Sequence, residues 1–198
     1  APGVAVHVVP YGIDARRHHD PMTIGRRRQL LGITPTAAVV GCIADSMSDA
    51  CLRLFLDAAA ELCGELANLE FAIICGGEHR ERYSQMAHER GLLGAMVFLE
   101  PRVSVTRLLT PLNVLVAPQP GWPAGQLALQ ALVRGLGVVA IAGGETEEML
   151  ADCAGVTIAP EAKPVSLAEA IRLRLKREAE RMRPTADGSA PIEAAQLL

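Results

Sequence analysis

The sequence predicts an α/β fold, a doubly wound parallel sheet with helices on both faces. Short apolar runs of strand length alternate with longer stretches of helical period, the pattern that βαβ units leave around a parallel sheet. Several runs, Val114-Leu115-Val116-Ala117 among them, are apolar at every position, as expected of strands covered by helices on both sides. With 50% hydrophobic residues and a mean hydropathy of +0.24, the 198 residues suffice for one core, and a single domain over residues 1–183 is expected.

In chain order, Val4–Val9 reads as the first strand, Thr23–Leu31 as a helix and Ala38–Ile43 as the second strand. Ser48–Leu66 is a helix in which Leu52, Phe55, Leu56, Ala59, Ala60 and Leu62 recur at three- and four-residue intervals, one apolar stripe that should pack on the sheet. Strand Glu70–Cys75 leads to helix Glu78–Arg90, then come strand Ala95–Leu99, short helix Val105–Leu109, strand Asn113–Ala117 and helix Ala124–Arg134. Gly91 and Gly135 directly follow Arg90 and Arg134, where a glycine accepts a left-handed stop and the arginine faces the negative helix end. Strand Gly137–Ile141, helix Glu145–Asp152, strand Val156–Ile158 and helix Leu167–Arg183 complete the series. Residues 184–198 combine Pro, Gly, Ser and Ala without a period and read as a tail.

The charge balance narrows the function classes. Nineteen Lys and Arg against 22 Asp and Glu give a net charge of -3, so no global field draws the chain to polyanions. An aromatic content of 3% leaves few platforms for stacking bases, and nucleic acid is not an expected partner. Cys42, Cys51, Cys63, Cys75 and Cys153 form no Cys-x-x-Cys pair and read as reduced thiols of a cytosolic protein, with neither a metal site nor a disulfide framework. No apolar run reaches the ~18 residues of a membrane span, and the N-terminus lacks the pattern of a signal peptide. The opening Ala-Pro-Gly has no starting Met, which suggests a fragment of a longer protein. Gly-x-Ser-x-Gly and Walker patterns are absent, which leaves nucleophile and P-loop chemistries without support.

Ligands of open parallel sheets bind beyond the carboxyl ends of the strands, where helix N-termini present free N–H groups. Three turns carry glycines there: Gly41 at the end of the second strand, Gly76-Gly77 after the third and Gly143-Gly144 after the sixth. Each is either a ligand contact or simply a tight strand-to-helix turn. Glu145, Glu147 and Glu148 open the helix after Gly144, a start hostile to phosphate but suited to a sugar hydroxyl. His18 and His19 belong to a polar loop, His7 to the first strand and His88 to an exposed helix face, while Glu78 and His79 are the acid–base pair closest to the presumed cleft.

The order of these motifs resembles the C-terminal domain of family 4, group 1, retaining glycosyltransferases over residues 4–160. Val8-Val9-Pro10-Tyr11-Gly12-Ile13-Asp14 is similar to the segment that opens that domain, and Arg28 to Gly32 to its Arg-x-x-Leu-Gly. Val39-Val40-Gly41 resembles the strand carrying the donor-phosphate turn, Phe71 to Gly77 the Leu-x-Ile-x-Gly-x-Gly strand, and Val97-Phe98-Leu99 the Val-x-Phe-Leu-Gly strand. Asn113 to Pro118 is similar to Ala-Asp-Val-x-Val-x-Pro, and Gly143-Gly144-Glu145-Thr146-Glu147 to Gly-Gly-x-Pro-Glu.

The resemblance implies the Rossmann-like C-terminal half of a GT-B enzyme, one that grips a UDP- or GDP-sugar without a metal or further cofactor. It also implies a separate N-terminal half, absent from this chain, that holds the acceptor, against which the tail would pack. Activity would then be cytoplasmic, at the inner face of a membrane through the missing part. Donor contacts are implied at Gly41, Cys42, Met47, Gly76, Gly77, the backbone of Leu99, Glu100 and Arg102, Gln130, Gly143, Gly144, Glu145 and Glu147.

Departures from the pattern concern the charges. The Arg and Lys that clamp the diphosphate are replaced by Cys42 and Met47, with Ser48 in place of a glycine, a loss of about 3–6 kcal/mol if each charge-assisted bond contributes about 1.5–3. Arg102 and Arg107 are either substitutes or ordinary surface residues. Aligning Gly125 with the family's Phe-Gly puts Trp122 and Gln130 where two glutamates are usual; Gln130 suits a ribose hydroxyl, and Trp122 either stacks on the ligand or plugs the pocket. The alternative reading is a catalytically inactive interaction or regulatory module, and a third is a nucleotide-sugar epimerase of the same layout.

Overall fold

Apolar runs such as Ala38–Ile43 and Gly137–Ile141 bury their side chains on both faces only when they sit inside a sheet. In the computed structural model, which describes residues 13, 22–45, 47–101 and 105–181, they do so as central members of a six-stranded, all-parallel sheet. The strands are β1 (Ala38–Ile43), β2 (Leu69–Ile74), β3 (Met96–Leu99), β4 (Val114–Ala117), β5 (Gly137–Ile141) and β6 (Val156–Ala159), in the spatial order β3-β2-β1-β4-β5-β6. The expected fold class is therefore correct. The strand expected at Val4–Val9 and the tail at 184–198 lie outside the described residues.

The helices are α1 (Ile24–Leu30), α2 (Asp49–Cys63), α3 (Gly77–His88), α4 (Val105–Leu109), α5 (Trp122–Val133), α6 (Glu145–Leu150) and α7 (Pro164–Arg181), with a 3₁₀ turn at Leu93–Ala95. One face of the sheet, with Val40, Phe71, Ile73 and Val139, packs against Leu52, Phe55 and Leu56 of α2, Tyr83 of α3 and Leu167 and Ile171 of α7. The opposite face, with Val39, Ile74, Leu115 and Val138, meets Leu108 and Leu109 of α4, Ala128 and Ala131 of α5 and Leu150 of α6. The stripe expected on α2 forms as read, and its Phe55 ring meets Phe71 edge-on at 6.2 Å.

Helix ends differ from expectation where caps decide them. Helix α7 starts at Pro164 rather than Leu167, because a proline has its φ preset for the first helical position and lacks an N–H that would be unpaired there. Helix α5 begins at Trp122 with Pro123 in its first turn, for the same reason. Helix α2 stops at Cys63, before Gly64, a residue of poor helix propensity. The stop at Gly135 is as expected: at φ 76° it turns the chain so that Leu136 N–H reaches Ala131 O at 3.0 Å and Gly135 N–H reaches Leu132 O at 2.8 Å, the paired bonds that close a helix end.

The amino ends of the strands are closed by an ionic plug. Arg28 of α1 is buried; its Nε donates to Pro111 O at 2.9 Å, Nη1 to Pro35 O and Ala37 O at 2.9 Å each, and Nη2 to Asn113 Oδ1 at 2.8 Å. Asn113 Oδ1 also accepts Val39 N–H at 2.7 Å, so one guanidinium ties α1 to the starts of β1 and β4.

All five cysteines are free thiols. Burial, with the nearby Cys75, pushes Cys42 far above the ordinary thiol value; burial first, then Asp45, pushes Cys75 up to about 11. At pH 8 a thiol-specific reagent is expected to label the exposed Cys63 and spare Cys42 and Cys75 until the chain unfolds; peptide mapping of the label checks this, and labelling of Cys42 in the folded chain would contradict it.

Candidate functional site

The chain leaves β1 toward α2 on one face of the sheet and leaves the adjacent β4 toward α5 on the other. Between two such strands no connection covers the carboxyl ends, and a crevice opens at that switch point. Here it is lined by Ile43, Met47, Ala117, Pro118, Gln119, Ala124 and Leu127. Its free volume is about 20 Å³, room for a single water, so any larger ligand would lie along the rim of strand ends with only one group inserted.

Three cross-links hold that rim. Thr146, only 1% exposed at the start of α6, accepts Gly121 N–H at 2.9 Å, and its hydroxyl lies 3.1 Å from Gln119 O and 2.9 Å from Gly121 O. It ties the β4–α5 turn to α6. Ser48 caps α2 by accepting Cys51 N–H at 3.3 Å, and its own N–H donates to Gln119 Oε1 at 3.3 Å. Asp45 Oδ1 accepts Gly76 N–H at 2.6 Å, joining the β1–α2 and β2–α3 turns. Replacing Thr146 by valine keeps the shape and strands the Gly121 N–H, an expected loss of about 1–3 kcal/mol, measurable by urea unfolding.

Carboxylates stand at each glycine turn. Glu147 Oε2 accepts Gly143 N–H at 2.6 Å, a carboxylate reaching back over the start of its own helix. A methyl group added at Gly76 would lie 2.7 Å from Glu78 Oε2, and one at Gly77 3.3 Å from Glu100 Oε1. Arg82 pairs with Asp49 across the same corner. Gly144 has φ 82° and its Cβ position lies 3.1 Å from Pro120, so close approach of the two turns requires glycine there. His79 stacks on Tyr83 at 5.5 Å within α3, 4.0 Å from Glu78.

The structure gathers Met47, Gly76, Gly77, Leu99, Glu100, Gly143, Gly144, Glu145 and Glu147 at the carboxyl ends of the strands. Two of the expected contacts are corrected. Gly41 is inside β1 rather than at its end, opposite Ala72 and Leu115, and a Cβ there would meet Leu112 at 2.7 Å. Cys42 follows it with 0% exposure, its side chain in the core; the strand runs on to Ile43, so neither residue reaches the rim. Gln130 lies eight residues into α5, about 12 Å along the axis from Trp122 at the helical rise, and is not part of the crevice wall. Trp122 is the first residue of α5, and its side chain, like Arg102, lies outside the described residues. His7, His18 and His19 lie outside them as well.

Asp45 and Gln119 were not among the residues singled out from sequence, and Thr146 entered only as part of the Gly143–Glu147 motif, although each holds the rim. Their only local signal is a polar residue just past a strand or just inside a helix. Among the described residues, no group of three His, Cys, Asp or Glu is placed to hold a metal ion, and no helix is long and apolar enough to cross a membrane.

Comparison with solved structures returns glycosyltransferase folds. WaaG, a glycosyltransferase involved in lipopolysaccharide biosynthesis, superposes with a TM-score of 0.70 and 22% identity over 89% of this chain and 49% of WaaG. HepE of Anabaena, solved with UDP and glucose, gives 0.71 and 19% identity over 96% of this chain and 50% of HepE. The C-terminal domain of the Francisella tularensis group 1 protein LpcC gives 0.65 and 14% identity over 83% of this chain and 88% of that domain. The chain thus spans about half the length of WaaG and HepE. A comparison with curated proteins finds no match. The family model of the group 1 glycosyl transferases matches residues 35–177, most of the described sheet and its helices, and the chain belongs to that family.

Proposed function

We propose that this chain is the donor-binding half of a retaining glycosyltransferase that transfers a sugar from a nucleotide diphosphate sugar to an acceptor held by a separate N-terminal half. The observation that carries the reading is the crevice at the β1/β4 switch point, flanked by the start of α2 and by a β4–α5 turn that Thr146 ties to α6. Pre-ordered turns hold the rim in place for a ligand without a further ordering cost. HepE has been solved with UDP and with UDP-glucose, which supports a UDP-sugar over a GDP-sugar. The donor lies along the rim over Met47, Gly76, Gly77, Leu99, Glu100, Gly143, Gly144, Glu145 and Glu147, with Arg102 as a further contact. The small crevice takes one end of it, and the N-terminal half supplies the facing wall. The reaction runs on the cytoplasmic side.

Thermal denaturation with and without nucleotide tests this. A ligand at a hundred times its Kd stabilises by about 2.7 kcal/mol, so UDP or UDP-glucose at millimolar concentration should raise the melting temperature. Failure of UDP, GDP and their sugars to move it would exclude the donor-binding reading.

One observation favours a second reading, a catalytically inactive module that regulates an active partner. Cys42 is sealed in the core and Met47 presents an apolar side chain to the crevice, so the β1–α2 segment offers a diphosphate no cation. Silence toward every nucleotide, together with a full-length protein that still assembles with an active transferase, is the outcome that selects it.

A further inference from the structure

We infer that the cavity at the amino ends of β5 and β6 is a second binding site, one that takes a small neutral apolar molecule carrying a carbonyl oxygen. It lies at the opposite end of the strands from the crevice and stands apart from the donor-binding reading.

The cavity measures about 390 Å³, within the ~300–1,000 Å³ usual for small-molecule pockets. Leu129, Leu132 and Val133 of α5 and Leu136 just before β5 make most of its wall apolar, and Cys153 lines it from the turn before β6. An apolar wall alone selects no ligand. The charged part does: Arg174 of α7 also lines the cavity and is only 6% exposed. Its Nη2 pairs with Glu178 Oε1 at 2.8 Å, and Arg181 takes the other oxygen of Glu178 at 2.9 Å. Arg174 Nε is buried without a hydrogen-bond partner, the one such side-chain atom among the described residues that line the cavity. A buried donor on a permanently charged group is costly to leave unpaired, and the cavity has room for the missing acceptor. Charge is not what is missing. Arg174 and Arg181 are balanced in the wall by Glu178 and the exposed Asp152, so a further anion gains no net attraction. A carbonyl oxygen supplies the acceptor without a charge to desolvate, and the apolar remainder of the molecule displaces water from the leucines.

Acetophenone and ethylbenzene share a ring and a two-carbon arm and differ in one carbonyl oxygen. Both, with benzoate as an anionic counterpart, are titrated by isothermal calorimetry into wild type, the double variant Arg174→Met, Glu178→Leu, and Val133→Trp. The double variant removes the Nε donor and keeps an apolar wall. Val133→Trp fills the cavity from the end of α5 and leaves Arg174 and Glu178 unaltered. Acetophenone should bind wild type and slow the reaction of Cys153 with iodoacetamide without slowing that of the exposed Cys63, which peptide mapping reads. Its Kd should rise at least about tenfold in the double variant, while that of ethylbenzene does not rise. Val133→Trp should abolish both binding and protection. An equal Kd for acetophenone in wild type and the double variant overturns the role of Nε, and benzoate binding more tightly than acetophenone overturns the neutral class. Failure of acetophenone to bind or to protect Cys153 in wild type overturns the site. Should the double variant not fold, acetophenone binding undiminished by Val133→Trp overturns the site on its own.

Discussion

Replacing Arg28 by methionine is expected to lower the unfolding free energy by about 3–5 kcal/mol, because three backbone carbonyls and an amide oxygen lose a buried charged donor at once. Each abandoned buried acceptor costs about 1–3 kcal/mol, and water reaching the half-buried Pro35 carbonyl reduces the sum. The guanidinium is well matched to the task. Its planar fork reaches Pro111, Pro35, Ala37 and Asn113 simultaneously, which a lysine ammonium cannot do. Burial lowers its pKa below the ordinary value and the charge of Glu70 partly restores it; arginine nevertheless stays protonated in proteins. Urea denaturation should give a lower midpoint with an unchanged slope. Arg28→Lys should recover less than half of the loss, and a loss under about 1 kcal/mol for the methionine variant would mean that solvent replaces the plug. The motif containing Arg28 thus maintains the amino side of the sheet, away from the rim.

The fold was legible because the signals that define it are local. The runs Ala38–Ile43 and Gly137–Ile141 are apolar throughout, and both strands occupy the expected residues; the α2 stripe follows from spacing alone. Helix starts were harder, since Pro164 and Trp122 open helices by capping chemistry that an apolar period does not register. The rim was only half legible. Glycine turns mark themselves in a sequence, but the bonds that decide their chemistry join Asp45 to Gly76 and Thr146 to Gly121 across 31 and 25 residues, and nothing in a window of either residue reveals the partner. Cys42 was misplaced for a related reason: resemblance put a ligand contact at its position, whereas pairing with Ile73 extends the strand past it and turns the thiol into the core.

A second large loss of stability is expected from Glu178→Ala. Glu178 of α7 is 5% exposed and receives two arginines: Arg174 Nη2 at 2.8 Å on one oxygen and Arg181 Nε at 2.9 Å on the other. Arg181 Nη2 continues to Gly135 O at 2.6 Å, so the cluster fastens α7 to the end of α5. Removing the carboxylate leaves Arg174 charged and buried with its Nε already lacking a hydrogen-bond partner, and breaking a buried pair from one side costs about 3–5 kcal/mol. The double variant Arg174→Met, Glu178→Leu should be far milder, since desolvation of the charges disappears together with their attraction. Space sets a limit on that rescue: a Cβ at Gly137 would lie 2.9 Å from both Arg174 Cγ and Glu178 Oε1, so the replacements must stay slender near the start of β5. Because Gly137 opens β5 at its amino end, the cluster stands at the far end of the sheet from the crevice. The Kd for UDP, measured well below the melting transition, should therefore be the same for Glu178→Ala as for wild type while the unfolding midpoint drops; a Kd that rises with the loss of stability would mean that α7 transmits its packing to the rim.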